Sequence, residues 1–265
     1  MNRPAASAPL IEMRGVYKQF GNGTVALRDM SVGIGEGEFV SFLGPSGCGK
    51  STALKMISGL LSISAGSITV NGHPPGKGGD GRDVSYVFQE PTLMPWATVF
   101  DNVWLPLRLG GQSRQAATPQ VSESLAMVGL SKFADSYPRQ LSGGMKMRVS
   151  IARAMVTRPR LLLMDEPFAA LDEMTRFKLN NDVLSLWEKL GLTVIFVTHS
   201  VFESVYLSSR VLVMAPRPGR VVNDIALPGD QPRDEHYRTT EAYADNCRMV
   251  GRALEETMDH VAVDH

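Results

Sequence analysis

The sequence predicts an α/β fold: a core with a mostly parallel sheet, an antiparallel β subdomain and an inserted helical subdomain. Two unbroken apolar runs, at 161–164 and 193–198, are typical of strands buried on both faces of a parallel sheet. A helical pattern with one apolar stripe separates these runs and is expected to begin after Asp172 and to end at Gly191. The residues of that stripe are Leu179, Val183, Trp187 and Leu190.

The first element along the chain is predicted to be a small antiparallel region over residues 11–43. Short β-rich pieces alternate there with glycine-rich turns at 21–23 and 33–37. Residues 1–10 ahead of it are expected to be frayed. The segment 72–81 holds five glycines and two prolines, and we expect it to be a loop leading to a strand at 84–88.

The segment 44–51 matches the pattern G-x-x-x-x-G-K-[ST], between a strand at 39–43 and a helix that opens at 51–56. Its glycines let the backbone wrap closely, so that N–H groups and the helix N-terminus face phosphates. Lys50 is expected to reach the β- and γ-phosphates, and the Ser51 hydroxyl to bind Mg²⁺. The sequence therefore predicts a P-loop NTPase core. The predicted nucleotide-binding residues of this loop are Gly44, Pro45, Ser46, Gly47, Cys48, Gly49, Lys50, Ser51 and Thr52.

After Gln89 the pattern becomes helical, and we expect a helical subdomain over about residues 90–145. Thr118 and Pro119 predict an N-cap and a first helical turn there. Val121, Leu125 and Val128 then fall on one face, and Gly129 is expected to end the helix.

Asp165 and Glu166 follow the apolar run 161–164, at the carboxyl edge where an open parallel sheet presents its ligands. Adjacent side chains at such a strand end point in different directions. Asp165 is therefore predicted to face Mg²⁺, and Glu166 to face an attacking water.

A second anion site is predicted at Ser142, Gly143 and Gly144, ahead of a further helical pattern. Ser142 can cap that helix and leave the backbone N–H groups of the two glycines free to meet an anion. Taken alone, the same three residues are also compatible with an ordinary turn.

Together these motifs resemble the nucleotide-binding subunit of ATP-binding cassette (ABC) transporters, over residues 11 to about 225. In that family the phosphate loop of one subunit and the Leu-Ser-Gly-Gly segment of the other close on the same ATP. The resemblance thus implies an ATPase that uses ATP and Mg²⁺ and works as a homodimer.

By position, the resemblance gives roles to four further residues. It implies that Phe20 stacks on adenine, although the ring could simply pack at the edge of the β region. Gln89 would sense Mg²⁺ and the membrane partner, and Asp172 would act at the dimer interface. His199 would hold the γ-phosphate, although a histidine at a strand end can also be structural.

Four positions depart from the usual family pattern. Met145 and Met147 stand where Gln is common, Ala169 where Ser or Gly is common, and Ser200 where Asp is usual. None of the four removes a catalytic group. We expect residues 200–203 to form a capping box that preserves the start of the next helix.

The segments 93–103 and 214–221 resemble those of importer ATPases for nitrate, sulfonates, taurine and related compounds. This branch implies integral membrane permease subunits, an extracytoplasmic solute-binding protein, and a place on the cytoplasmic face of the inner membrane. Pro95 and Trp96 follow Gln89, where the family docks a short helix of its membrane subunit. They could equally pack within the lobe.

Composition and charge limit the partners and the cellular compartment that we expect for the chain. Twenty-seven basic and 27 acidic residues balance, so no global field favours nucleic acid as a partner. The two cysteines are not expected to pair, since Cys48 lies in the phosphate loop, which suggests a reducing compartment. No signal layout and no apolar run of about 20 residues occurs, so a cytoplasmic chain is expected.

We expect residues 11–245 to form the nucleotide-binding domain and residues 246–265 a C-terminal tail. Three competing classes stay open at this point. They are a non-transport ABC ATPase acting on nucleic acid or ribosomes, a small-molecule kinase, and a regulatory module that binds ATP without hydrolysing it.

Overall fold

A computed structural model describes residues 9–77, 83–216, 218–229 and 233–263, with side chains to residue 258. Parts of three sequence predictions lie outside the described residues. They are most of the frayed N-terminus, residues 78–81 of the glycine-rich loop, and Arg217 of the importer-like segment.

The strands of the described chain form two sheets. Their bounds are Ile11–Gln19 (β1), Val25–Ile34 (β2), Phe39–Leu43 (β3), Ala65–Val70 (β4), Val84–Val87 (β5), Leu161–Asp165 (β6), Thr193–Thr198 (β7), Arg210–Ala215 (β8) and Arg220–Ala226 (β9). One sheet is antiparallel, in the order β2-β1-β4. The other has the order β5-β6-β7-β3-β8-β9 and is parallel except for β9. The predicted fold class is confirmed.

The α-helices cover both faces of the larger sheet and build the helical lobe. Their bounds are Lys50–Ile57 (α1), Val99–Leu109 (α2), Arg114–Met127 (α3), Gly143–Met155 (α4), Glu173–Leu190 (α5), Val201–Leu207 (α6) and Glu241–Val263 (α7). Short 3₁₀ helices lie at Ser131–Phe133, Pro138–Gln140 and Glu235–Thr239.

The central strands β3, β6 and β7 are buried along their whole length. Their side chains alternate between two cores, as the pleat requires. Phe39, Met164 and Phe196 belong to the core shared with the helical lobe and α5. Val40 and Leu163 belong to the core shared with α1 and the antiparallel sheet. Burial on both faces explains why these strands are apolar throughout.

Helix α3 begins earlier than predicted. Its N-cap is Ser113, whose Oγ accepts a hydrogen bond from Ala116 N, and Pro119 lies inside the helix. Thr118 is not a cap, because its hydroxyl donates to the Arg114 carbonyl one turn back. The predicted end is correct, since Gly129 has a φ of 71° directly after the helix.

Helix α5 has the predicted bounds. Asp172 Oδ1 accepts a hydrogen bond of 2.9 Å from Thr175 N, and Gly191 ends the helix with a φ of 59°. Leu179 and Val183 are buried as expected. Leu190 is exposed because it is the last residue of the helix, and Leu186 is buried near that end instead.

Helix α7 packs against α6 and β8. Val250 is fully buried there, in a small core with Val205, Val211 and Val213. The predicted boundary after residue 245 falls inside this helix. The division into a domain and a tail stays a prediction.

The two cysteines, Cys48 and Cys247, are free thiols, in agreement with the expectation that they do not pair. Among the described helices, none is both long and apolar enough to cross a membrane.

Candidate nucleotide-binding site

The loop between β3 and α1 is held against two neighbouring strands. A Cβ on Gly49, which has a φ of 94°, would lie 2.7 Å from Leu27 Cδ2 and 2.9 Å from the Ala26 carbonyl. A Cβ on Gly44 would lie 2.6 Å from the Met214 carbonyl. Close packing therefore requires glycine at both positions, and the positive φ of Gly49 adds a conformational requirement there.

Lys50 is the first residue of α1, and its side chain is buried. Its Nζ donates to the carbonyls of Gly44 at 2.8 Å and Pro45 at 2.9 Å. The same ammonium lies 3.6 Å from Glu166 Oε1. Lys50 thus joins the phosphate loop to the end of β6 by charge and by hydrogen bonds.

Asp165 is held by two hydroxyl groups, one on each carboxylate oxygen. Ser51 Oγ donates to Oδ1 at 2.7 Å, and Tyr86 Oη donates to Oδ2 at 2.9 Å. Burial, and then the nearby Asp165 charge, raise the pKa of Tyr86, so its phenol keeps the proton it donates. Sequence reasoning missed Tyr86. The available signal was a hydroxyl-bearing side chain in the strand that pairs with β6.

The oxygen atoms near Ser51 fit Mg²⁺. The Ser51 hydroxyl and the Asp165 carboxylate meet at hydrogen-bond distance, and hydroxyl and carboxylate oxygens are the ligands this hard cation prefers. Within the described residues, no group of three or more His, Cys, Asp and Glu side chains could hold a metal ion. Ser51 and Asp165 would share such a cation with phosphate oxygens, which is how Mg²⁺ usually binds at nucleotide sites.

Glu166 has a φ of 45°, which is uncommon for a residue with a side chain. Its carboxylate has other partners than the carboxylate of Asp165 has. Glu166 Oε2 lies 3.2 Å from His199 Nδ1, while Oε1 faces Lys50. The two adjacent carboxylates thus have different partners, and Glu166 stands between a lysine and a histidine.

A cavity of about 730 Å³ runs along the phosphate loop. Phe20 lines one part of it, and Gln89 and Glu166 line another. Its size is in the range of small-molecule sites. The loop residues that line it are Ser46, Gly47, Gly49, Lys50, Ser51 and Thr52.

Three predicted loop residues do not line the cavity: Gly44, Pro45 and Cys48. Cys48 is buried beneath the loop, and this burial raises the pKa of its thiol. Phe20 is partly exposed, with Lys18 Nζ 5.4 Å from its ring centroid. A flat aromatic surface therefore remains accessible beside the cavity.

The Ser142 segment does not line this cavity either. Ser142 caps α4, its Oγ accepting from Met145 N at 3.3 Å. A Cβ on Gly144 would lie 2.5 Å from Thr175 Cγ2, whereas one on Gly143 would meet only Leu171, at an ordinary 3.5 Å. The second glycine is thus required by the packing of α4 on α5.

The start of α6 differs in part from the predicted capping box. Ser200 caps the helix, its Oγ accepting from Glu203 N at 3.3 Å. The Glu203 carboxylate does not return to Ser200 N, because it accepts from the Thr198 hydroxyl at 2.6 Å. Ser200 N donates to that hydroxyl instead. Burial is the main cause that raises the pKa of Glu203.

Two of the four residues that depart from the family pattern contact the hydrophobic core. Met147 is buried in the core under the helical lobe, and Met145 packs against the same core. An apolar side chain at 147 therefore contributes packing where an amide would need hydrogen-bond partners.

Comparison with known proteins identifies the family. A family model described as ABC transporter matches residues 27–169. The chain is 48% identical over 204 residues to the taurine import ATP-binding protein TauB of Rhizobium johnstonii, covering 77% of each chain. It is 41% identical over 244 residues to the nitrate import ATP-binding protein NrtD of Synechocystis sp., covering 88% of this chain and 91% of the relative.

A solved structure of the ATP-binding cassette MJ0796, a dimer bound to ADP and phosphate, is 34% identical, with a TM-score of 0.73. The match covers 83% of this chain and all of that one. The chain therefore belongs to the ABC transporter family and is an ATP-binding ATPase of that class.

Proposed function

We propose that this chain is the ATP-hydrolysing subunit of an ABC importer, and that it couples ATP hydrolysis at a dimer interface to solute uptake. The observation that carries the proposal is the position of Glu166. Its carboxylate contacts Lys50 and His199 beside a cavity that follows the phosphate loop. A base in this place can act on a water next to bound phosphate.

The residues divide the reaction among them. Backbone N–H groups of the loop and Lys50 bind the phosphates. Ser51, Asp165 and Gln89 would hold Mg²⁺, which would supply positive charge beside the phosphates. Glu166 accepts the proton of the attacking water. His199, which contacts Glu166, binds the γ-phosphate. The exposed ring of Phe20 stacks on the adenine.

A second copy of the chain completes the site. Ser142, Gly143 and Gly144 carry the free N–H groups of the α4 N-terminus, yet they do not line the cavity of their own chain. In a dimer, Ser142, Gly143 and Gly144 of the partner copy would close on the γ-phosphate. Asp172, which caps the neighbouring α5, would lie at the same interface. ATP then stabilises the closed pair because it contacts both chains.

The membrane partner is expected to dock on the helical lobe. Trp96 lies between Gln89 and α2, and 76% of its side chain is exposed, which favours docking over packing within the lobe. The proposed assembly contains permease subunits and an extracytoplasmic solute-binding protein, with this chain on the cytoplasmic face of the inner membrane. The names of the relatives favour nitrate, taurine or another sulfonate as the solute.

The alternative is a non-transport ABC ATPase acting on nucleic acid or ribosomes. The balanced charge of the chain disfavours a nucleic-acid partner. Exposed Trp96 follows the cavity residue Gln89 closely in the chain, which favours a protein partner that responds to ATP.

Co-purification from gently solubilised membranes tests the proposal. We expect the tagged chain to bring down a multi-spanning protein, with ATP hydrolysis stimulated by taurine, an alkanesulfonate or nitrate. Trp96→Glu should abolish this recovery while ATP binding is retained. Leu109→Glu, at another exposed apolar residue of the lobe, is the matched control and should keep the complex. Recovery of ribosomal or nucleic-acid partners alone would favour the alternative.

A further inference from the structure

The segment between β5 and α2 carries two residues of the proposed function. Gln89 lines the nucleotide cavity, and Trp96 is largely exposed. Residues 88–98 belong to no helix or strand. Within the described residues, the Gln89 side chain has no hydrogen-bond partner. Its position therefore depends on the contacts that hold the backbone of this segment.

Arg153, in the last turn of α4, holds the first half of the segment. Its Nη1 donates to the Thr92 carbonyl at 2.9 Å, and its Nη2 donates to the Pro91 carbonyl at 2.9 Å and to the Thr92 hydroxyl at 3.0 Å. In the described part of the chain, no other side chain forms a hydrogen bond to residues 90–92. A planar guanidinium can bind several acceptors at once, and its charge strengthens each bond.

Thr92 has a backbone conformation that requires such support. Its φ is 46°, which is an outlier for a β-branched residue. A conformation of this kind persists only where the surrounding structure maintains it. Thr92 is exposed, so burial of its own side chain does not fix the backbone. The bonds from Arg153 therefore hold Thr92 in this conformation.

A different residue holds the second half of the segment. Asn102 of α2 is fully buried, and its Oδ1 accepts a hydrogen bond from Met94 N at 2.8 Å. Its Nδ2 donates to the carbonyls of Met94, Ala97 and Thr98. The two halves thus have separate anchors. Gln89 lies on the side that Arg153 holds, two residues before Pro91.

We propose that Arg153 is a positioning residue for ATP hydrolysis. By holding Pro91 and Thr92, it fixes Gln89 at the cation side of the nucleotide cavity. The proposal rests on the role of Gln89 in the proposed function. Because Arg153 belongs to α4, this contact also links Gln89 to the helix that Ser142 caps, whose N-terminus would meet the ATP of the partner copy.

Arg153→Met tests the proposal, because it removes the donors and keeps an unbranched side chain. We expect kcat for ATP hydrolysis to fall about tenfold, a loss that is common when a partner of a ligand residue is removed. The affinity for ATP without Mg²⁺, measured by titration calorimetry, should not change, because the phosphate loop is untouched. The thermal midpoint should fall by about 4 °C or less, since water can reach the exposed Thr92.

Arg158→Met is the matched control. Arg158 follows α4, is exposed, and forms an ion pair with Glu123 rather than with the Gln89 segment. This variant should hydrolyse ATP at the rate of the unchanged chain.

A double-variant comparison shows whether Arg153 acts through Gln89. Gln89→Ala removes the amide that Arg153 is proposed to position. The double variant Gln89→Ala with Arg153→Met should therefore hydrolyse ATP no more slowly than Gln89→Ala alone. A residue that only stabilises the fold would add its own loss to that of Gln89→Ala.

A spin label at residue 90 reports on the segment without any ATP hydrolysis. The label is attached to Glu90→Cys in a Cys247→Ser background, since Cys48 is only 1% exposed and is not expected to react. Electron paramagnetic resonance should show a more mobile label in Arg153→Met than in the background protein. Arg158→Met should leave the mobility unchanged.

Three results would overturn the proposal. They are an unchanged kcat in Arg153→Met, losses that multiply in the double variant, and an unchanged label mobility. All three measurements use the purified chain without a membrane partner. If the chain recovers no membrane protein while the double variant and the label behave as expected, the importer proposal fails and the role of Arg153 is supported.

Discussion

Glu166 combines an uncommon backbone conformation with two charged partners. A φ of 45° is energetically unfavourable for a residue with a side chain, and it persists only where the surrounding structure maintains it. Residues in such conformations cluster at active sites. Asp165 and Glu166 are adjacent, yet their carboxylates have different partners. In the proposed mechanism, the first serves the cation side and the second the water side.

Glu166→Gln should bind ATP but lose hydrolysis by about a hundredfold or more, because the amide cannot accept the proton of water. In the presence of ATP the variant should accumulate as a dimer, because hydrolysis no longer reopens the closed pair. The measurements are phosphate release and light scattering coupled to size-exclusion chromatography. Glu188→Gln, at an exposed residue of α5, is the control. An active, monomeric Glu166→Gln protein would contradict the mechanism.

Tyr86→Phe should raise the Mg²⁺ concentration needed for half-maximal ATP hydrolysis by about tenfold, with little change at saturating Mg²⁺. The reason is that Tyr86 Oη holds one oxygen of Asp165, and partners of this kind commonly tune metal affinity. Mn²⁺ binding, followed by electron paramagnetic resonance with ADP present, gives a readout apart from activity. Tyr17→Phe in β1 is the matched control. An unchanged Mg²⁺ requirement would show that Tyr86 does not contribute to the cation site.

Tyr86 also shows which kind of contact a sequence pattern does not predict. Asp165 and Glu166 were predictable because both follow an apolar strand in the chain. Tyr86 lies in β5, 79 residues away, and reaches Asp165 only because β5 pairs in parallel with β6. The sequence predicts that strands exist more readily than it predicts which strands are neighbours.

At the scale of elements, the two glycines after Ser142 have different reasons to be glycine. Gly144 faces Thr175 in the first turn of α5, so the N-terminus of α4 is placed by contact between two helices. Gly143 has space for a methyl group. The sequence interpretation treated the two alike, because an anion site and a close helix contact both favour glycine.

Gly144→Ala should lower the free energy of unfolding by about 1 to 3 kcal/mol, because its Cβ would overlap Thr175 Cγ2. Adding Thr175→Ser removes that methyl group and should restore most of the loss. Gly143→Ala should change stability by about 0.5 kcal/mol or less. Urea denaturation followed by tryptophan fluorescence measures all three. Equal stability of Gly143→Ala and Gly144→Ala would show that the close contact is absent.

Helix starts show the same limit of local patterns. Ser113 and Thr118 are both suitable N-caps in sequence, and only the fold decides between them. Ala117 N already donates to the Ser113 carbonyl at 3.0 Å, so the helix is formed at that point, and the Thr118 hydroxyl then bonds within it. At α6, Glu203 has a second acceptable partner in Thr198, and this competes with the predicted capping box.

At the scale of the whole molecule, the C-terminal helix is joined to the main sheet. Val250 of α7 is fully buried with Val211 and Val213 of β8. Arg233, ahead of this helix, donates to the Ser208 carbonyl at 2.6 Å. These contacts place the C-terminal segment against β8 and the end of α6.

Val250→Ala should lower the free energy of unfolding by about 2 kcal/mol, through lost burial and the space left behind. Met249→Ala, at the preceding residue, is the control, since that side chain is 41% exposed. It should change stability by about 0.5 kcal/mol or less. Urea denaturation again measures the difference. If both variants are equally stable, α7 adds nothing to the folded core, and the predicted tail after residue 245 would be the better description.

The sequence by itself determined the phosphate loop, the carboxylates after β6, the caps Ser142 and Asp172, and hence the family. Each of these features depends on residues that are close together in the sequence, and such a motif specifies the local backbone geometry. The tertiary structure alone decided that Tyr86 meets Asp165, that Glu203 bonds Thr198, and that Val250 of α7 is buried with β8. Those contacts join separate elements, so they follow from strand order and helix packing, which no local pattern specifies.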